Sequence, residues 1–70
     1  MKISYDKDAD AMYIHFREGE FDHCKEPSPG VIHDLDANGT VLGIEILDVS
    51  RRTALQEIFD INISMPVSAK

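Results

Sequence analysis

Apolar and polar positions alternate along most of this chain, and only the stretch near residue 50 changes to a helical period. Residues 2–5 read as a short strand, and Asp6-Lys7-Asp8-Ala9-Asp10 as a polar turn whose Asp side chains can accept nearby backbone N–H groups. Over residues 11–17, Met12, Ile14 and Phe16 point one way and Ala11, Tyr13, His15 and Arg17 the other, the period of a half-buried strand. Glu18-Gly19 then suits a tight turn, with 20–26 returning as a strand. That pairing sets Phe16 opposite Phe21, Ile14 opposite His23, His15 opposite Asp22 and Arg17 opposite Glu20. Pro27-Ser28-Pro29-Gly30 breaks the pattern and is expected to link two hairpins, because proline lacks the ladder donor.

The second hairpin is specified more strongly. Residues 31–36 and 41–48 flank Asn38-Gly39, and a two-residue loop there sets Leu35 opposite Leu42, His33 opposite Ile44 and Val31 opposite Ile46. All six share one face, and a slip of one residue would mate that face with the mixed face holding Ile32, Asp34, Asp36, Val41, Gly43, Glu45 and Leu47. Ser50 suits an N-cap for a helix of about ten residues, with Leu55, Ile58 and Phe59 beside Ala54 as its apolar stripe. So short a helix does not persist alone in water, and it is expected to pack on the Val31/Leu35/Leu42/Ile44/Ile46 face. Beyond it, Ile61, Ile63, Met65 and Val67 alternate like a strand, up to Pro66. The fold class is therefore α+β: a small antiparallel sheet of two hairpins plus a short N-terminal strand, with one C-terminal helix on one face. Residues 1–60 form one domain, and 61–70 a strand-like tail suited to an oligomer contact.

Length alters this picture by making stability marginal. Seventy residues hide only about 60% of the surface that the unfolded chain exposes. Cys24 is the only cysteine, so no internal disulfide can help, and a lone thiol suits a reducing compartment. Homo-oligomerisation, as a dimer, is the expected support. The N-terminus turns polar almost at once and no apolar run reaches bilayer length, so a cytoplasmic chain with no membrane contact is expected. Thirteen acidic residues against seven basic give a net charge of −6, which counts against direct nucleic-acid binding and favours a basic protein partner.

Three groups of residues could carry chemistry. Asp34-Leu35-Asp36-Ala37-Asn38-Gly39 with Glu45 fits the twelve-residue EF-hand loop. Its flanks, however, are strand-like on both sides, whereas that loop needs a helix on each side, and the hairpin explains the same Asn-Gly. Of the histidines and Cys24, only His23 and His33 could share a face across two strands, which offers a metal two ligands at most. His15 is expected to pair with Asp22. Glu45 stands on the mixed face of a central strand, where a salt bridge to Arg51 or Arg52 is the ordinary expectation. No activated nucleophile, acid–base pair or phosphate loop emerges, so no enzyme activity and no cofactor are expected. The expected partner-binding residues are Asp34, Asp36 and Glu45, with His23 and His33 as weak metal candidates; a small-ligand or metal-binding regulator is the alternative function.

Several segments carry a resemblance: Met1-Lys2-Ile3-Ser4-Tyr5-Asp6, Ala9-Asp10-Ala11-Met12-Tyr13-Ile14, Gly30-Val31-Ile32 with Asp34 and Asp36, and Gly43-Ile44-Glu45-Ile46-Leu47-Asp48-Val49-Ser50. Over roughly residues 1–55 the chain resembles the YuzE-like bacterial and archaeal domain family of unknown function. His15 and His33 depart from its pattern of a basic and an aliphatic residue. The resemblance brings no catalytic residues. It implies a small standalone protein, in some cases encoded beside toxin-like proteins, and hence an antitoxin-like binding role.

Overall fold

A computed structural model describes residues 1–54, 57, 60, 61, 63 and 64. Among the described residues, five strands, β1 (Lys2–Asp6), β2 (Ala11–His15), β3 (His23–Ser28), β4 (Val31–Leu35) and β5 (Val41–Leu47), precede a four-residue helix, α1 (Val49–Arg52). The strands form one antiparallel sheet in the order β1-β2-β5-β4-β3. No helix among the described residues is long and apolar enough to cross a membrane.

Directly opposed residues in an antiparallel sheet share a face, so the register sorts the side chains. One row runs Ile3, Ile14, Ile44, His33, Lys25, and the next Tyr5, Met12, Ile46, Val31. These make an apolar face. The other face carries the row Lys2, His15, Gly43, Asp34, Cys24 and the row Ser4, Tyr13, Glu45, Ile32. Among the described residues, the buried apolar side chains are Ala11, Leu35, Leu42 and Val49.

The 11–17/20–26 hairpin does not form. β2 lies between β1 and β5, and β3 pairs with β4 instead. The reason is burial: β2 sets Met12 against Ile46 and Ile14 against Ile44, whereas every residue of β3 is exposed. Phe16 and Phe21 are consequently both exposed. Pro29-Gly30 is a turn within a hairpin rather than a link between two. Gly30 takes φ 77° there, and its N–H donates to Glu26 Oε2 at 2.9 Å. Pro27 lies inside β3, which is tolerable because that strand is at the sheet's edge.

The β4–β5 hairpin keeps the expected register at Val31–Ile46 and His33–Ile44. Its loop, however, has three residues, not two. Asp36 N–H donates to Thr40 O, and Gly39 N–H to Asp36 O, both at 3.0 Å. Asp36 Oδ1 accepts the N–H groups of Asn38 and Thr40, each at 2.9 Å. That places Asp at the first position of a type I turn, with Gly39 in the left-handed region at φ 83°. The odd loop is absorbed by a bulge that sets Leu35 opposite Val41 and leaves Leu42 as the extra residue.

Helix entry differs from the Ser50 cap. Asp48 occupies the cap position at φ 54° and makes no side-chain cap bond. Capping comes from the β1–β2 turn: Asp10, also left-handed at φ 53°, accepts Val49 N–H on its carbonyl at 3.1 Å. Its carboxylate accepts Ser50 N–H at 3.1 Å and Ser50 Oγ–H at 2.7 Å. Tyr5 donates to the same carboxylate at 2.7 Å. These donors, Ser50 first and then Tyr5, hold the Asp10 carboxyl below the usual aspartate value. Extended backbone at Thr53 (φ −153°, ψ 159°) closes the turn after four residues. Ala54 is exposed, and Leu55, Ile58 and Phe59 lie outside the described residues. So does much of the 61–70 tail; Ile61 and Ile63 are exposed and outside the sheet.

Candidate functional site

The polar groups gather on the face opposite the apolar rows. Tyr13 rises from β2 beside Glu45, its direct neighbour on β5. Its ring then crosses β5 above Gly43 and donates to Asp34 Oδ2 on β4 at 3.0 Å. Gly43 makes this crossing feasible. A Cβ built there would stand 2.6 Å from Tyr13 Cζ and 2.9 Å from the backbone oxygen of Ile14, and closer still to the phenol oxygen. The missing side chain is therefore a slot for the ring. One phenol so ties three strands together.

Burial, the hydrogen bond to Asp34 and the charges of Asp34 and Glu45 together raise the Tyr13 pKa above the ordinary tyrosine value. The phenol donates its proton to the Asp34 carboxylate in this arrangement. His15 stands beside it, with ring centroids 6.3 Å apart. His15 Nε2 meets Glu18 Oε2 at 3.1 Å, and since that Glu18 side chain is 96% exposed the pair adds little stability. Lys2, Ser4, Tyr13, His15 and Glu18 line an open concavity of about 330 Å³.

The expected site residues are partly brought together. Asp34 and Glu45 share the polar face, on neighbouring strands. Asp36 belongs to the loop, where its carboxylate organises the turn. The EF-hand reading gives way to the hairpin, because Asp34 and Glu45 are strand residues and Asp36 serves its own loop. Arg52 donates to Leu47 O and Pro29 O, both at 2.8 Å, rather than to Glu45. His15 pairs with Glu18, and Asp22 with His23 at 2.7 Å, instead of His15 with Asp22. His23 faces Leu35 and His33 faces Lys25, which puts the two imidazoles diagonally on one face. Among the described residues, no three His, Cys, Asp or Glu side chains gather to hold a metal ion.

Sequence reasoning missed the Tyr13–Asp34 bond and the Tyr5–Asp10–Ser50 cluster. The signal for the first was a glycine inside an otherwise largely apolar strand, which marks a close approach. The second joins residues forty positions apart and has no local signature.

A family model described as "Protein of unknown function (DUF2283)" matches residues 2–50, which include all five strands, and the chain belongs to that family. No curated protein and no solved structure gives a significant match to it.

Proposed function

We propose that this member of a family of unknown function is a protein-binding module whose polar sheet face engages a basic protein. The observation that carries the reading is the placement of Asp34 and Glu45 on one sheet face, around a phenol that donates to Asp34. A net charge of −6 adds long-range attraction for a cationic partner. Asp36 borders this surface as the residue that shapes the loop. The YuzE-like resemblance narrows the proposal to an antitoxin-like role, in a cytoplasmic setting.

A second reading has one observation in its favour. The concavity beside Tyr13 gathers an ammonium, two hydroxyls, an imidazole and a carboxylate, the kind of mixed polar lining a small-ligand regulator would use.

A tagged pull-down from the native host separates the two. A basic protein recovered in fixed ratio supports the binding module, and combined Asp34→Asn and Glu45→Gln substitution should weaken that complex and flatten its salt dependence. A complex indifferent to both changes removes the acidic face from the reading. Recovery of the chain with only a bound small molecule or metal favours the regulator.

A further inference from the structure

The two ends of the sheet are built differently. β3 ends it on one side with Pro27 in the strand and a register break between Lys25 and Ser28. These are the usual devices that stop an edge from pairing with another chain. Among the described residues, β1 ends it on the other side with neither proline nor bulge, in unbroken register over five pairs.

Backbone direction at β1 follows from the ladder. Phe16 N–H, one residue past β2, donates to Leu42 O on the β5 side at 2.8 Å. Main-chain groups alternate in direction along a strand. Ala11, Tyr13 and His15 therefore face β1, and they meet Asp6, Ser4 and Lys2. The main chain of Ile3, between them, is directed away from β2.

We propose that β1 pairs antiparallel with β1 of a second copy, centred on Ser4. In that register Lys2 faces Asp6 of the second copy and Ile3 faces its Tyr5, with the same contacts repeated by the two-fold axis. Opposite charges then meet on the polar face and apolar side chains on the other. The parity agrees independently, because a Ser4 centre sets the outward-directed main chain of Ile3 into the new ladder. A shift by one residue would lose both matches. Since β3 is guarded, the pairing closes as a dimer instead of propagating. It yields a ten-stranded sheet with two Tyr13–Asp34 clusters on the same side. This inference does not depend on the basic-partner reading, which concerns the polar face and not the edge.

Sedimentation equilibrium of the purified full chain tests it. The wild type should be a concentration-dependent dimer. Ile3→Pro removes an outward donor, together with an apolar side chain opposite Ile14, and should leave a monomer. Lys2→Glu, at an exposed position, turns two attractions into two repulsions and should weaken association by about tenfold, with added salt narrowing the gap. Circular dichroism should show both variants folded, and Lys2→Glu keeps the test open should proline disturb the strand. A wild type that stays monomeric at every concentration overturns the proposal, as does a dimer that Lys2→Glu leaves unchanged at low salt.

Discussion

The two faces of this sheet share the same five strands but do different work. The apolar face holds Ile3, Met12, Ile14, Val31, Ile44 and Ile46 in adjoining rows. Its contribution is non-directional burial, so neighbouring residues can substitute for one another in part. The polar face depends on placement: one ring over one glycine, reaching one carboxylate. A half-buried sheet can thus tolerate volume changes on one side while fixing single atoms on the other. That difference predicts where substitutions act on stability and where they act on local chemistry.

The largest effect should come from the apolar side. Leu42 is 6% exposed, and Leu42→Ala should cost about 2–4 kcal/mol, a sizeable fraction of a small domain's total. Urea denaturation would measure it; a loss no larger than that of an exposed control such as Ala37→Gly would remove Leu42 from the core. Gly43→Ala should cost about 1–3 kcal/mol, because the new methyl meets both the Tyr13 ring and a backbone oxygen. Adding Tyr13→Ala should recover part of that loss. Strict additivity in this double-mutant cycle would show that the ring does not occupy the slot.

The smallest effect is a titration. Tyr13 should ionise above the ordinary tyrosine value, and Asp34→Asn should bring it back toward that value. Ultraviolet difference spectra, with Tyr5→Phe to isolate the signal, would follow it. The sign for stability follows: a phenol whose pKa is higher folded than unfolded contributes fully below about pH 10 and is lost as pH rises through the folded value. An Asp34→Asn protein with an unchanged titration would leave burial and the charge of Glu45 as the causes.

The alternation at Met12 and Ile14, the polar turn at Asp6, and the Val31–Ile46 and His33–Ile44 register were all written in the chain, because a period of two and a Gly-containing loop are local properties. Asp34 and Glu45 on one face follow from the same parity. Which strand lies beside β2 did not. Glu18-Gly19 offered an adjacent hairpin, but β5 offered two isoleucines, and burial won over proximity in sequence. The three-residue loop and its bulge were decided by Asp36, whose carboxylate organises two amides at once. The Tyr13–Asp34 bond needed three strands in order, and the Asp10–Ser50 cap needed the sheet to bring a turn to a helix start forty residues away. Local period and turn chemistry are therefore set by the sequence alone. Strand order, and every contact that depends on it, is a competition among whole surfaces that only the tertiary structure resolves.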